Sequence, residues 1–418
     1  MSFETVSIDR RKSTERIQRD IETLGGSDFT RSANAIERYA YTPEYRHTLD
    51  YFAGEFEALG FEVSEDPVGN FFARNRPTGE SAFGLGSHCD SNRNGGKYDG
   101  TMGVVVALEV CRLSTELGLD LPLQAISFLE EEGSGFGQGL LGSRVIMGRV
   151  SDEDIRENFR SLDDGRSFFE HATDAGYEPE RWRECGSGLD GLIGWLELHI
   201  EQGRVLQDTS TQIGVVTAIV GVCWSEILFE GRADHAGATP MGFRADAAIP
   251  AAETILELER RASATTVPTV GTVGQCGFDP DLVNVIPGQV RLSVDVRSVD
   301  EDSYHGVTTA ITAFAATSAE RHGVTATSRQ TLDSPPAPLD EAVIRAMTQA
   351  AEACGVSYRE MPSGGGHDTQ VIASRVPSAM VFVPCVDGIS HAPNEVADPA
   401  DGAAAAEVML NAARSLAG

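Results

Sequence analysis

Residues 83–132 read FGLGSHCDSNRNGGKYDGTMGVVVALEVCRLSTELGLDLPLQAISFLEEE, and the order of elements in this stretch decides the fold. Phe83 to Gly86 is a short apolar strand. Gly103 to Leu117 has the apolar spacing of a helix and is stopped by Gly118, and Leu123 to Leu129 is a second, buried strand. Alternation of this kind predicts an α/β domain with helices on both faces of a largely parallel sheet. Reactive residues in such sheets lie at the carboxyl ends of strands.

Upstream, Glu44 to Leu59 reads as an amphipathic helix ended by Gly60. Phe61 to Asn75 reads as a hairpin turning around Pro67, Gly69 and Asn70. Downstream the pattern changes. Ile213 to Gly231 is a long β-rich stretch, followed by a helix near Ala247 to Arg261. Strands near Thr266 to Cys276 and Gln289 to Arg297 come next, then a helix from about Ser303 to Arg321. This β–α–β–β–α order suits a small α+β domain with its helices on one face of an antiparallel sheet. Past Pro335, Pro336 and Pro338, read as a stiff connector, helix and strand alternate again. The expected organisation is therefore one α/β domain, 1–212 and 331–418, split by an inserted α+β domain, 213–330.

Composition narrows the function classes. The 418 residues carry 63 acidic and 33 basic side chains, a formal charge of −30, and the only lysines are Lys12 and Lys97. Such a surface repels phosphate backbones and argues against a nucleic-acid partner. Its self-repulsion is relieved by counterions, as in proteins adapted to a high-salt cytoplasm. No long apolar run suits a membrane span, and the N-terminus shows no secretory h-region. Seven scattered cysteines without a CxxC pair read as reduced thiols in a cytoplasmic protein.

The chemistry gathers where apolar strands end. His88 closes Gly86-Ser-His88-Cys-Asp90, and Asp99 follows in a glycine-rich loop that can bring it back toward His88. A His and a carboxylate above a sheet edge suit a zinc-like ion, and Asp90 can orient the imidazole of His88. Glu130, Glu131 and Glu132 end the strand that closes at Leu129. Like charges at a buried strand end need a cation or a proton, so one Glu can ligate while its neighbour serves as general base. His199 ends Trp195-Leu-Glu-Leu-His199, and His391 follows the apolar strand Ala379 to Pro384. His47, His171, His305 and His322 read as surface residues.

Two further motifs carry less. Gly137-Gln-Gly139-Leu-Leu-Gly142 matches GxGxxG, yet three upstream glutamates would repel a pyrophosphate, so it is read as fortuitous. Ser363-Gly-Gly-Gly-His367-Asp368 reads as a substrate-contacting loop in which Gly365 offers backbone and His367 a side chain.

Taken together, Gly86-Ser-His88-Cys-Asp90, Gly95 to Gly100, Glu131-Glu132-Gly133-Ser134, Leu198 to Gly203 and Ile389-Ser390-His391 resemble the dinuclear-metal amidohydrolases of the M20 peptidase superfamily. The branch they resemble most is the N-carbamoyl-L-amino acid hydrolase, allantoate amidohydrolase and β-ureidopropionase group. The inserted domain shares the likeness through Ala233-Asp-His235, Asn284-Val-Ile-Pro287-Gly288 and Asp295-Val-Arg297.

The resemblance implies a metal-dependent exopeptidase-like fold with a ferredoxin-like dimerisation and lid domain. It implies two divalent ions per chain, Zn or else Mn, Co or Ni. His88 and His199 would hold one ion, Glu132 and His391 the other, and Asp99 would bridge them. Glu131 would be the base. His235 would act on the oxyanion in the partner subunit of a homodimer, and Asn284 and Arg297 would grip the substrate carboxylate. The implied reaction is hydrolysis of the linear C–N bond of an N-carbamoyl-L-amino acid, with allantoate or ureidoglycolate as alternative substrates and a peptidase or aminoacylase behind them. A metal-stabilised binding protein would have no use for the base, yet Glu131 is present. Two departures stand out: Gly135 replaces the usual Arg, and Gly221-Val222-Cys223-Trp224 replaces the Gly-Gln-Arg of the allantoate branch.

Overall fold

Leu123–Phe128, Ala82–His88, Leu192–Ile200 and Ser378–Val383 lie side by side in that order, all parallel. Their neighbours are antiparallel: Phe71–Arg74 and then Glu62–Glu65 on one side, Ile213–Ile219 on the other. The expected hairpin is thus the outer edge of the large sheet. Every residue of Leu123–Phe128, Ala82–His88 and Ser378–Val383 is buried, which explains why these segments are mostly apolar rather than alternating.

The computed structural model describes residues 5–417 and contains two compact units. The sequence reading of the extreme N-terminus falls partly on residues 1–4, outside the described residues. The four parallel strands and the Phe71–Arg74 and Glu62–Glu65 edge belong to the unit formed by the chain up to Thr217, Leu339–Met361 and the segment from Gly366 onward. Helix Thr101–Glu116 follows the expected site and is buried from Thr101 to Ser114, its apolar run 104–108 packed all round and its buried Glu109 and Arg112 paired with Arg16 and Asp20. Helix Pro399–Ala417 packs on it and on Arg10–Leu24 and Glu341–Cys354.

The second unit is Ala218–Pro338 with Pro362–Gly365, where the sequence alone puts the edges at 213 and 330. Its antiparallel sheet runs Cys276–Asp279, Gln289–Ser298, Gly221–Glu230, Thr325–Ser334, with Thr269–Thr272 also pairing Gln289–Ser298. This is the split βαβ order of a ferredoxin-like fold. Helices Ala248–Ser263 and Glu301–Arg321 cover the face that Ile227, Phe229, Val290, Leu292 and Val294 bury. The single β-rich stretch read from Ile213 to Gly231 is really two strands, Ile213–Ile219 in the large sheet and Gly221–Glu230 in the small one. The proline connector is shorter than expected, because Ala337–Pro338 forms a strand of its own. Among the described residues, no helix is long and apolar enough to cross a membrane.

Candidate metal centre

Adjacency in the sheet brings the strand ends together. His88 is the last residue of Ala82–His88, Glu131 and Glu132 follow Leu123–Phe128, His199 sits near the end of Leu192–Ile200, and His391 lies in the loop after Ser378–Val383. All four strands are parallel neighbours, so their carboxyl ends share one edge. Asp99 closes the loop after His88, just before helix Thr101–Glu116. Gly100, at φ +60°, allows the turn, and a Cβ there would lie 2.3 Å from Nε2 of His88.

Two sets of side chains converge on Asp99. His88, Asp99 and His199 form one, and Asp99, Glu132 and His391 the other; within each set the ligating atoms lie within 4.8 Å of one another. Nε2 of His199 is 3.0 Å and Nε2 of His88 is 3.8 Å from Oδ1 of Asp99. Nε2 of His391 is 3.2 Å from Oδ2 of Asp99 and 3.6 Å from Glu132. Each Asp99 oxygen therefore faces a different set. Glu131 belongs to neither, although its Oε2 lies 3.6 Å from Nε2 of His88.

The donors fit a cation. Both ring nitrogens of buried His88 and Oε1 of Glu132 have no hydrogen-bond partner. Burial, then Glu132, Asp368, Asp90 and Asp99, push the Glu131 carboxyl well above the usual range. Burial, then Asp99 and Asp90, do the same to Glu132. Burial also raises the Asp99 carboxyl, but His199, His391 and His88 outweigh it and hold it well below that range. Burial lowers His199 and Asp99 raises it, with a net shift up to about 9. A pocket with this surplus of buried carboxylate is stabilised by positive charge, and His and carboxylate donors suit Zn, Mn, Co or Ni.

Asp90 lies where the sequence suggests, 3.3 Å from Nδ1 of His88, but outside hydrogen-bonding direction. Its oxygens instead accept the backbone N–H groups of Glu131 and Glu132, each at 3.1 Å. Glu130, the third glutamate, accepts N–H groups from Gly135 (2.6 Å) and Phe136 (2.7 Å). A Cβ at Gly135 would lie 2.8 Å from Oε2 of Glu130. The residue standing in place of an arginine is therefore packed directly on this carboxylate.

Sequence reasoning missed several supporting side chains. Gln202 donates to Oδ2 of Asp99 at 2.9 Å, and Asn92 lies 3.0 Å from Nδ1 of His391 and donates to Glu132 at 3.3 Å. Fully buried Arg38 donates to the Cys89 carbonyl (2.7 Å) and the Thr101 hydroxyl (2.6 Å), joining the His88 loop to the helix after Asp99. Each is an isolated polar residue in a loop, with no periodic signal around it.

The expected substrate residues divide between the units. His367 is buried in the large unit with its ring centroid 4.5 Å from that of His199, and burial pushes its pKa well below the usual range. In the inserted unit, exposed His235 pairs in register with Val285, and the N–H of Ala236 donates to the Asn284 carbonyl at 3.0 Å. Arg297 forks onto Asp295 and donates to the Gly364 carbonyl at 2.8 Å, and the N–H of Gly365 donates to Ser363 at 3.2 Å. The GxGxxG match is no phosphate cradle: the N–H groups of Leu140, Leu141 and Gly142 bond the carbonyls of Glu131, Glu130 and Leu129.

A profile of Peptidase family M20/M25/M40 matches residues 80–415, which include both metal sets. The chain belongs to this family. Its relatives include an N-carbamoyl-L-amino-acid amidohydrolase of Paenarthrobacter aurescens, 36% identical over 411 residues, covering 97% of this chain and 99% of the relative. A ureidoglycolate hydrolase of Oryza sativa subsp. japonica is 36% identical over 406 residues, covering 95% and 83%. Among solved structures, a hydantoinase/carbamoylase family amidase of Burkholderia multivorans superposes with a TM-score of 0.89 at 32% identity, covering 99% and 98%. The M20 resemblance drawn from the motifs is thereby confirmed, as is the α/β fold. The expected class, hydrolases of non-peptide C–N bonds, is the class of these relatives.

Proposed function

We propose that this chain is a dinuclear amidohydrolase that cleaves N-carbamoyl-L-amino acids to amino acid, ammonia and carbon dioxide. The observation that carries the reading is Asp99, shared by two His/carboxylate sets, with the Glu131 carboxylate beside them and in neither. Divalent ions bound there would polarise the ureido carbonyl and lower the pKa of a water. Glu131 takes the proton of the attacking water on its carboxylate and hands it to the leaving amine, a role that its burial favours by raising its basicity. His199 is held in orientation by its Nδ1, 2.9 Å from the Ile200 carbonyl.

The inserted unit supplies substrate contacts in this reading. Arg297 and Asn284 bind the α-carboxylate, the guanidinium offering it the Nη1 and Nη2 hydrogens not used on Asp295 and the Gly364 carbonyl. The loop with Gly365 and His367 lies against the substrate, and His235 stabilises the oxyanion across a homodimer. Apolar side chains exposed on this unit, among them Met241, Phe243, Leu256 and Val270, support burial against a second copy. Mixing inactive His235→Ala and Glu131→Gln subunits then restores part of the activity. No recovery despite subunit exchange removes His235 from the partner's site. The seven free cysteines suit a reducing cytoplasm.

A second reading, ureidoglycolate or allantoate hydrolysis, is favoured by the rice relative. The carbamoyl reading is favoured by Val222 and Trp224, which offer apolar contact in place of a polar amide. Burying a second ureido group without that amide costs ~1–3 kcal/mol. Comparing kcat/KM for N-carbamoyl-L-methionine, allantoate and ureidoglycolate decides between them. A clear preference for either of the latter two overturns the first reading.

A further inference from the structure

Asp99 and His391 reach the centre from separate loops, and one side chain outside both metal sets ties those loops together. Glu395 is only 2% exposed. Its Oε1 accepts the backbone N–H groups of Tyr98 at 2.9 Å and of Asp99 itself at 3.0 Å. Its Oε2 lies 3.1 Å from the Ser390 hydroxyl, which is shared with Oδ2 of Asp99 at 2.9 Å. The glycine-rich loop leaves room for this: a Cβ at Gly96 would fall 2.4 Å from Oε1 and 2.5 Å from Cβ of Glu395.

These contacts fix two things at once. Paired peptide N–H groups on one charged oxygen hold the loop that carries Asp99. The other oxygen holds Ser390, the residue before His391. We infer that Glu395 is a positioning residue that sets the separation of Asp99 and His391, and with it the spacing of the two metal positions. The inference rests on the two-ion reading above. Ser390 and Gln202 complete the tie, because the Gln202 amide reaches both the Ser390 hydroxyl (3.1 Å) and Asp99. Groups that orient metal ligands in this way typically change metal affinity about 10- to 100-fold when removed.

The test titrates the metal-free full chain with Zn(II) by calorimetry and with Co(II) by visible absorption. In Glu395→Ala, the ion at Asp99, Glu132 and His391 weakens by about 10-fold or more and the ion at His88, Asp99 and His199 by less, because only the first set also loses the Ser390 tie beside His391. Gly96→Ala gives the same pattern, because its methyl takes the place of Oε1. Glu395→Gln recovers most of the lost affinity, since its amide oxygen still accepts both N–H groups and its NH2 meets Ser390. If Glu395→Ala does not fold, Glu395→Asp, one methylene too short, replaces it. Equal weakening of both ions together with a matched loss of apoprotein melting temperature marks a purely structural role and overturns the inference. Two ions at wild-type affinity in Glu395→Ala also overturn it, while leaving the two-ion reading intact. A wild-type chain that binds one ion overturns that reading and the inference with it.

Discussion

Gly100 lies so close to His88 that a Cβ at position 100 would sit 2.3 Å from the Nε2 of the imidazole and 2.3 Å from its Cε1. The backbone there also has φ +60° and starts the helix that follows Asp99. Gly100→Ala must therefore move the ring and strain the turn, at a cost of ~1–3 kcal/mol. Urea denaturation of the metal-free chain measures the cost, and Zn(II) titration shows weakened binding at the His88 set. Unchanged stability and affinity would show that the close approach is not required.

Glu131 and Glu132 are adjacent in sequence, and the proposed mechanism gives them separate roles, base and metal ligand. Glu131→Gln keeps bound metal and lowers kcat by ~10²–10⁴-fold, because only proton transfer is removed. Glu132→Gln loses metal from the His391 side. Metal analysis beside steady-state kinetics distinguishes the two, and metal loss confined to Glu131→Gln reverses their assignment.

Chelation abolishes activity while leaving the fold in place, because the ligands decorate strand ends and the buried strands beneath are packed by apolar side chains. Far-UV circular dichroism stays unchanged with EDTA, and activity returns on adding Zn(II), Mn(II) or Co(II). Activity that survives exhaustive chelation removes metal from the reaction.

Arg297 is held in a fork by Asp295, Nε at 3.0 Å and Nη2 at 2.8 Å. Lysine reproduces the charge without the fork. Arg297→Lys raises KM for N-carbamoyl-L-methionine by the equivalent of ~1.5–3 kcal/mol, the usual worth of a hydrogen bond to a charged group. A fall in kcat with unchanged KM places Arg297 away from the carboxylate.

With a formal charge of −30 and two lysines, the chain repels itself at low ionic strength. Its melting temperature and activity rise between low and molar KCl as the charge is screened. A flat or falling melting temperature rejects salt adaptation.

The strand-end motifs at His88, Glu130 and His199 were legible because an apolar run that stops at such a residue reads as a buried strand delivering polar groups to its carboxyl end. Asp99 was legible through the glycines around it. Glu395, Gln202 and Arg38 were not, since single polar residues in loops carry no period and no spacing rule. Ile213 to Gly231 misled for a related reason: a β pattern records that a strand exists, not which sheet receives it.

The alternation of strand and helix, the inserted α+β unit and the His and carboxylate residues of the candidate site can be read along the chain. That Leu123–Phe128, Ala82–His88, Leu192–Ile200 and Ser378–Val383 stand side by side, in an order that differs from their order along the chain, emerges only in the folded molecule. Local propensity and hydrophobic period act over a few residues, whereas strand order is set by how helices pack across the whole sheet. The sharing of Asp99 between two sets arises at that longer range, from residues 88 to 391 meeting at one sheet edge.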